Sequence, residues 1–265
     1  MEHVMILLAA YLLDLLVGDP RWLPHPVVYM GKCIAWLEKK IRRQKFREDQ
    51  LKRIGIVFPL VLVGGSFLLV WLFLKGLAFI HPWLAWAAEA WLISTTIAAR
   101  GLGEAGMEIY RHLKKEKVEN ARKALAMVVG RDTEVLNERE ISRGAVETVA
   151  ENIVDAIVSP LLYAALGGAP LAMAYRAANT LDSMVGYKNE RYANLGWASA
   201  RFDDAVNYIP ARLAAIVLVI VSWMMRLDWR KCFAVIRRDA RLHPSPNSGF
   251  TEAGVAGAWV FNSGA

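Results

Sequence analysis

Five apolar stretches dominate the pattern of hydrophobic and polar positions along the chain. Residues 54–74 carry no charge, and their length matches the roughly 20 residues that a helix needs to cross about 30 Å of hydrocarbon. Residues 82–99 contain Glu89 as their only charged side chain, and the short link before them predicts an antiparallel pair of helices. The stretch 4–17 is almost as apolar, whereas the uncharged stretch 213–225 is short for a membrane span.

The remaining apolar stretch, 156–175, contains its own helix breaker. Its sequence Gly167-Gly168-Ala169-Pro170 combines two residues of high backbone freedom with one that lacks an N–H. A straight helix here would separate the polar residues of 147–155 from those of 179–207 by about 30 Å. We therefore expect a broken or re-entrant segment that returns both clusters to one cytoplasmic site, as is tolerated where backbone is buried or lines a cavity.

The rest of the chain also predicts helices. Apolar positions recur at helical spacing over 104–129, and Gly130 closes that run. Asp132 and Ser142 are predicted to cap the next two helices. No stretch alternates in the manner of a strand. The fold class is therefore all-α, a polytopic membrane protein with about four to five apolar segments and cytoplasmic helical loops, with 1–265 as a single domain.

Charge indicates the orientation of the chain. The net charge is +7, from 32 Lys and Arg against 25 Asp and Glu, and 55% of the residues are hydrophobic. Such a composition excludes a disordered chain, and two Cys exclude a disulfide-stapled module. Loop 18–53 holds ten Lys and Arg but four Asp and Glu, which predicts a cytoplasmic location. Its basic stripe favours anionic lipid head groups over nucleic acid as a partner (Lys39, Lys40, Arg42, Arg43, Lys45).

Three carboxylates are predicted to share one helix face. Glu147, Glu151 and Asp155 are spaced i, i+4 and i+8, with Asn152 beside them. Like charges at this spacing destabilise an isolated helix, so a cation such as Mg²⁺ is expected against them, or Arg143 neutralises one. The simpler alternative is a solvated helix face.

A second polar cluster follows the broken segment. Its carboxylates and amides offer the hard oxygen ligands that Mg²⁺ prefers, and its Lys and Arg residues could hold phosphates. A set of surface ion pairs is the alternative. The members are Asn179, Asp182, Lys188, Arg191, Tyr192, Arg201, Asp203, Asp204 and Asn207.

Two histidines lie in proline-rich turns. Pro24-His25-Pro26, after Gly18-Asp19-Pro20, holds an imidazole in an extended turn, or simply closes the first apolar segment. His243-Pro-Ser-Pro-Asn-Ser-Gly249 presents a His, an amide and two hydroxyls, as a substrate-contacting loop would.

Several familiar chemistries are excluded. Gly101-Leu-Gly-Glu-Ala-Gly106 fits a dinucleotide fingerprint in letters, but a helix and not a strand precedes it. No P-loop, zinc-type Cys/His spacing or nucleophile motif occurs, so any ATP would be bound without a P-loop.

Five blocks make the chain resemble the CobD/CbiB family, the adenosylcobinamide-phosphate synthases of cobalamin biosynthesis. They occur in the family's order from about residue 14 to 254. The blocks are Gly18-Asp-Pro20 with Pro24-His-Pro-Val27, Val146-Glu-Thr-Val-Ala-Glu-Asn152, Tyr175-Arg-Ala-Ala-Asn-Thr-Leu-Asp-Ser-Met-Val-Gly-Tyr-Lys188, Ser199-Ala-Arg-Phe-Asp-Asp204 with Asn207 and Pro210-Ala-Arg212, and His243-Pro-Ser-Pro-Asn-Ser-Gly249.

The resemblance implies a multi-pass enzyme of the inner, cytoplasmic membrane whose site faces the cytoplasm. Such an enzyme joins adenosylcobyric acid to (R)-1-amino-2-propanol O-2-phosphate through an amide bond and consumes ATP with Mg²⁺. The corrinoid is then a substrate and not a bound cofactor. An ATP-driven acyl phosphate is the expected intermediate, because a carboxylate and an amine do not condense unaided in water. For this step, Mg²⁺ and basic side chains that bind the phosphates contribute more than a nucleophilic side chain. A homo-oligomer, or a complex with other late cobalamin-pathway membrane enzymes, is compatible with it.

We assign roles to the residues of these blocks as hypotheses. The catalytic candidates are three carboxylates and two histidines that hydrogen-bond substrate or move the amine proton (Glu147, Glu151, Asp182, His25, His243). Three further carboxylates are candidate metal ligands (Asp155, Asp203, Asp204). Basic residues would hold phosphate or corrin carboxylates (Arg176, Lys188, Arg201, Arg212). Amides and one hydroxyl would orient substrate (Asn152, Asn179, Asn207, Asn247, Ser248).

The chain departs from the family at its C-terminal end. Family members run on beyond the last block with a Gly-rich stretch and further helix, whereas residues 260–265 match nothing familiar. We expect a truncated or altered C-terminus, which would impair the enzyme if that segment closes the site.

Two other functions fit parts of the sequence. A membrane signalling protein of the AmpE type is disfavoured by the preserved acid and Asn blocks. A small-molecule transporter would suit intramembrane Asp14 and Glu89, but at most five spans and polar groups gathered at segment ends disfavour it.

Overall fold

A computed structural model describes residues 1–20, 22, 24–44, 46–130 and 132–259. Within these ranges the chain forms α-helices and no strand, so the all-α prediction is confirmed. The helices are α1 Glu2–Leu16, α2 Pro26–Arg42, α3 Glu48–Gly55, α4 Val57–Ile80, α5 Pro82–Ser94, α6 Ala99–Lys114, α7 Val118–Ala126, α8 Glu138–Ile153, α9 Ser159–Val185, α10 Trp197–Val206, α11 Tyr208–Met224, α12 Trp229–Asp239 and α13 Ser248–Ala258. A π-helical turn, Val154–Val158, follows α8, and a 3₁₀ turn, Ala240–Leu242, follows α12.

The helices form two compact units, each built from two parts of the chain. The first unit comprises residues 1–98 and 159–207, and the second comprises 99–158 and 208 onward. In the first unit α9 packs against α4, α5, α10 and α2. Its core contains buried side chains from α2, α4, α9 and the segment before α10 (Ile34, Phe58, Leu62, Leu181, Val185, Leu195).

The predicted break in α9 is confirmed. Gly167 (φ −151°, ψ 24°) and Gly168 (φ 64°, ψ −160°) leave the helical conformation, and the second of these lies in the left-handed region that favours glycine. The rings of Tyr163 and Tyr175 stack with centroids 5.2 Å apart, although a straight helix would separate these positions by about 18 Å. The two halves of α9 therefore fold back on each other.

Glu89 stabilises the turn between the two halves. Its Oε1 accepts a hydrogen bond from the backbone N–H of Ala169 at 3.3 Å. This N–H begins the second half of α9 and has no partner in the preceding turn of helix. The single charge in the apolar stretch 82–99 thus caps a broken helix.

A buried amide connects the open ends of the fold-back to α10. Asn207 Oδ1 accepts hydrogen bonds from Ser159 Oγ at 2.6 Å and from the hydroxyl of Tyr175 at 3.0 Å. Its Nδ2 donates to Asp203 Oδ2 at 2.9 Å. Residues 159 and 175 can meet at one oxygen only because α9 reverses direction between them.

Two clusters form the core of the second unit. One joins α6, α7 and α8 through Ile109, Ala121, Leu125 and Ile141, and the other joins α11, α12 and α13 (Ala215, Cys232, Ile236, Ala240, Ala253). Val154 of the π-helical turn packs on Ala211 and Ala214 of α11.

Three sequence predictions for this unit are wrong. The apolar run 104–129 is two helices, because the chain turns between α6 and α7 with Glu116 at φ 54°. Ser142 lies inside α8, whose N-cap is Asn137 in a reciprocal capping box with Glu140. Asp132 instead accepts the N–H of residue 134 in a turn. Asn137 is the N-cap because its capping box with Glu140 satisfies two backbone N–H groups at once.

By length and composition, two stretches of described helix can cross a membrane. They are Glu48–Ile80 and Glu138–Val185, and the bent pair Trp197–Val206 with Tyr208–Met224 gives a third if it is counted as one span. The other apolar helices, α1 with 15 residues and α5 with 13, are shorter than the roughly 20 residues required. These findings are consistent with a membrane protein, whereas four to five spans and their orientation stay predictions.

We predict that Gly168→Ala destabilises the first unit. An added Cβ would lie 2.2 Å from Glu89 Oε1, at a backbone φ that alanine rarely adopts. The matched control is Gly65→Ala in α4, where an added Cβ meets nothing within 4 Å. Thermal unfolding in detergent should show a lower midpoint for Gly168→Ala and an unchanged or higher one for Gly65→Ala. Equal midpoints for Gly168→Ala and the unaltered protein would contradict the fold-back.

Candidate functional site

The predicted site residues fall into two groups, one in each unit. The first unit carries His25, Arg176, Asn179, Asp182, Lys188, Arg201, Asp203, Asp204 and Asn207. The second unit carries Glu147, Glu151, Asn152, Asp155, Arg212, His243, Asn247 and Ser248. The expectation that both groups form one site therefore stays a prediction.

The second unit contains a basic cavity of about 400 Å³. Its lining combines three basic side chains, a hydroxyl and two aromatic rings (Tyr208, Arg212, Arg241, His243, Ser245, Pro246, Phe250). A cavity of this size suits a small ligand, and two guanidinium groups favour an anionic one. An adjoining cavity of about 360 Å³ shares Arg241 and Phe250 with it and is otherwise lined by Phe233, Ile236, Arg237 and Ala240.

Arg212 is fixed in this cavity before any ligand binds. Its Nη1 donates to the carbonyl of Tyr208 at 2.6 Å and to Asn247 Oδ1 at 3.3 Å. Its guanidinium lies 3.3 Å from the centroid of the Tyr208 ring and 4.5 Å from that of Phe250. Aromatic faces attract a guanidinium without removing its positive charge. Arg212 therefore remains a preorganised binding group for an anion.

The His243 loop has an ordered internal network. Ser245 Oγ accepts the backbone N–H groups of Asn247 and Ser248, each at 3.3 Å. The N–H of Ser245 donates to His243 Nδ1 at 3.1 Å, so the proton of the neutral imidazole resides on Nε2. Gly249 permits this arrangement, because an added Cβ would lie 2.6 Å from His243 Cβ and 2.3 Å from the Ala240 carbonyl oxygen.

His243 Nε2 faces a carboxylate that the sequence did not reveal. Glu252 Oε1 lies 3.5 Å away, and both side chains are partly buried. Burial raises the pKa of the Glu252 carboxyl; His243 lowers it, and the negative charges of Glu151 and Glu147 raise it further. A signal was present in the sequence, since Glu252 is the only acidic residue after His243.

The carboxylates of α8 are arranged only partly as predicted. Arg143 Nε contacts Glu147 Oε1 at 2.6 Å, so the expected ion pair is confirmed. Glu151 is exposed one turn further on. Asp155, however, lies in the π-helical turn, where the α-helical spacing that predicted a shared face no longer holds. Asn152 Nδ2 donates to the Thr148 carbonyl at 2.9 Å.

In the first unit, His25 fastens a loop to α2. It is the N-cap of that helix, with Nδ1 accepting the Val27 N–H at 3.3 Å, and its Nε2 lies 3.2 Å from Asp19 Oδ1. Both residues line a small cavity of about 50 Å³ beside α5. These contacts give His25 a structural role, and its catalytic role stays a prediction.

Arg176 and Asn179 contact each other at the end of α5. Arg176 donates to the carbonyl of Thr96 and, at 3.1 Å, to Asn179 Oδ1. Asp182 lies one turn further along α9 and packs against Gly186, where an added Cβ would be 1.9 Å from its Oδ1. Arg176 and Asn179 thus anchor α9 to the end of α5.

The carboxylates of α10 differ in their surroundings. Asp203 is buried on Asn207, whose carbonyl oxygen is fully used by two hydroxyls. Asp204 lies 4.0 Å from Arg201 Nη1, the ion pair that was the alternative to a metal site. Lys188 is exposed beyond the end of α9.

An ion cluster around the buried Glu38 carboxylate in the first unit was not predicted as such. Glu38 Oε1 accepts from Arg42 Nε at 2.7 Å and from Arg191 Nη2 at 2.9 Å, and the Tyr192 hydroxyl lies 3.4 Å from Oε2. Burial raises the pKa of the Glu38 carboxyl, but the two guanidinium groups outweigh it and leave the pKa below its ordinary value. Of the predicted basic stripe, Arg42 therefore pairs with Glu38, whereas Lys39 and Lys40 are exposed. Residue 45 of the stripe lies outside the described residues, and so does the C-terminal segment 260–265.

No three His, Cys, Asp or Glu side chains of the described residues are arranged to hold a metal ion by themselves. Mg²⁺ commonly takes only one or two carboxylates, with waters and substrate phosphates as its other ligands. The partly buried Glu252, with Glu147 and Glu151 close enough to raise its pKa, fits such a site. The assignment of Asp155, Asp203 and Asp204 as metal ligands stays a prediction.

Over the described residues, the fold and this cavity define an all-helical protein with two or three stretches that can span a membrane and a cavity lined by two arginines. Residues 7–262 match the family described as CobD/Cbib protein, and the chain belongs to this family. Relatives named cobalamin biosynthesis protein CobD, from Geobacter metallireducens and Halalkalibacterium halodurans, are 49% and 46% identical over 96% of this chain and 79% of their own length. Cobalamin biosynthesis protein CbiB of Salmonella typhimurium is 45% identical over 94% of this chain and 78% of its own. No solved structure matches the chain.

We predict that Glu38→Gln lowers the free energy of unfolding at pH 7 by about 1.5–3 kcal/mol, the usual contribution of hydrogen bonds to charged groups. Because the folded state lowers the pKa of Glu38, this stabilisation is present above the unfolded pKa and is lost as pH falls through the folded pKa. Unfolding at several pH values, with exposed Glu190→Gln as the control, would test this. A loss that persists unchanged in acid would contradict the ion cluster.

Proposed function

We propose that this protein acts in cobalamin biosynthesis as an amide-forming synthase. It joins adenosylcobyric acid to (R)-1-amino-2-propanol O-2-phosphate to give adenosylcobinamide phosphate. The observation that carries the proposal is the family match over residues 7–262, with relatives named for cobalamin biosynthesis. The apolar helices support a location in the cytoplasmic membrane.

The cavity of the second unit supports an anionic substrate at this site. Arg212 and Arg241 supply two positive charges, and Arg212 is held by Tyr208, Phe250 and Asn247 in a fixed geometry. A guanidinium group recognises phosphate through paired N–H donors. The cavity volume of about 400 Å³ suits the phosphorylated amine, whereas the corrin ring requires a larger surface.

The pocket residues contribute binding and orientation. Arg212 and Arg241 hold the phosphate, and Ser245 presents its hydroxyl beside them. His243, with its Nε2–H directed at Glu252, offers a hydrogen-bond donor at the border of the cavity. Fixed binding groups raise the effective concentration of the amine at the carboxyl that it attacks.

ATP and Mg²⁺ are the cofactors that we propose, and they supply the activation of the carboxylate that condensation with an amine requires. The absence of a P-loop leaves basic side chains such as those of the cavity as phosphate ligands. The adjoining cavity, which shares Arg241 and Phe250, offers apolar surface for the remainder of a second ligand.

We predict that the gene for this protein rescues cobalamin synthesis in a strain that lacks the synthase. Arg212→Ala should raise KM for the aminoalcohol phosphate at least about tenfold, because a hydrogen bond to a charged group contributes about 1.5–3 kcal/mol. Exposed Arg139→Ala is the matched control and should leave KM unchanged. Growth without added cobinamide, and turnover by membranes from these strains, are the measurements.

Failure of the unaltered gene to rescue growth, despite normal amounts of protein in the membrane, would contradict the proposed synthase. A signalling protein of the AmpE type or a transporter would give that result. If the gene rescues growth but Arg212→Ala leaves KM unchanged, the synthase function would be supported and a phosphate site in this cavity contradicted.

A further inference from the structure

His243 lies between groups of opposite charge in the second unit. Arg212 and Arg241 line the cavity on which His243 borders. The Nε2 atom of the same imidazole faces Glu252 at 3.5 Å. The carboxylates of Glu147 and Glu151 lie close enough to Glu252 to raise its pKa. The imidazole of His243 thus lies between the arginine-lined cavity and the carboxylate of Glu252.

Helix α13 fixes the position of Glu252 relative to the cavity. Phe250 lies in the first turn of α13 and lines the cavity, and Glu252 lies two residues further on. Gly249, the second residue of α13, allows the Ala240 backbone and the His243 side chain to approach the helix closely. Because both partners are held by packing, the spacing between the anion pocket and the carboxylate is set by the fold.

The side chain of Glu252 is 26% exposed, so a small ligand can reach it. The Nδ1 atom of His243 is occupied by the Ser245 N–H, so only the Nε2 atom of this imidazole faces the carboxylate. Glu252 is therefore available to a ligand cation in addition to its imidazole neighbour.

Two guanidinium groups and a carboxylate around one imidazole would suit a ligand that carries both a phosphate and an ammonium group. The ammonium group is a compact charge with three hydrogen-bond donors. Arg212 and Arg241 would repel it if no carboxylate stood nearby, and a carboxylate gives both charge complementarity and discrimination against ligands that lack the amine.

We propose that Glu252 is a specificity-determining residue that binds the ammonium group of a phosphorylated amine whose phosphate is held by Arg212 and Arg241. This proposal rests on the function proposed above and assigns the orientation of the small substrate within that site. The contact with His243, which lines the cavity, holds the carboxylate beside a residue of the cavity wall.

The test compares two ligands that differ only in the amine. (R)-1-Amino-2-propanol O-2-phosphate and isopropyl phosphate are titrated into the full-length protein in detergent, with EDTA present so that a metal ion bound by Glu252 contributes nothing. We expect the unaltered protein to bind the amine at least about tenfold more tightly, as one charge-assisted contact allows. Glu252→Gln should lose this preference and bind the two ligands with equal affinity. Glu134→Gln, an exposed residue of the same unit, is the control and should keep the discrimination.

Equal affinity of the unaltered protein for the two ligands would overturn the proposal without any variant. Retained discrimination in Glu252→Gln would overturn it as well. If that variant fails to accumulate in folded form, Glu252→Ala replaces it, and unchanged discrimination in Glu252→Ala would overturn the proposal.

The outcome is separable from that of the proposed function. If the protein forms adenosylcobinamide phosphate but Glu252→Gln still discriminates between the ligands, the synthase function would be supported and the role of Glu252 contradicted. If the protein lacks synthase activity but binds the amine in a manner that requires Glu252, the ammonium site would be supported and the proposed function contradicted.

Discussion

The architecture of the first unit depends on satisfying backbone and side-chain polar groups where a helix reverses inside an apolar stretch. The reversal at Gly167–Gly168 leaves an N–H at residue 169 without a helical partner, and Glu89 accepts it. At the open end of the fold-back, Asn207 accepts hydroxyls from both halves. An unsatisfied polar group in such surroundings would cost several kcal/mol. The acid within an apolar segment, which would suit a transporter, is thereby explained as a helix cap.

The sequence was sufficient to predict the helical class and the break, because Gly-Gly-Ala-Pro has few structural alternatives inside an apolar helix. It was insufficient where two local signals competed. Asp132 and Ser142 are both competent caps, but Asn137 forms the reciprocal pair with Glu140 that neither of them has. The π-helical turn that displaces Asp155 has no residue signature in the sequence, and its Val154 packs on α11.

The family blocks contain residues of two physical kinds that sequence alone does not separate. His25, Arg176, Asn179 and Asn207 all belong to blocks, yet each is engaged in contacts that hold helices and loops in place. Arg212 and His243 instead line a cavity of the second unit. Glu252 lies just beyond the last block, and only the turn of α13 beside the His243 loop identifies it as a partner.

The fold-back of α9 is the claim on which the account of the first unit rests, and cross-linking measures it most directly. Cysteines would be placed at Tyr163 and Tyr175 after replacement of Cys33 and Cys232 by serine. The matched control has cysteines at Val61 and Phe73, also twelve residues apart and exposed on unbroken α4. A short bifunctional thiol reagent should join 163 to 175, whose rings are 5.2 Å apart, and should fail to join 61 to 73 at about 18 Å. Absence of a 163–175 cross-link, under conditions in which both cysteines react with the thiol reagent, would contradict the account.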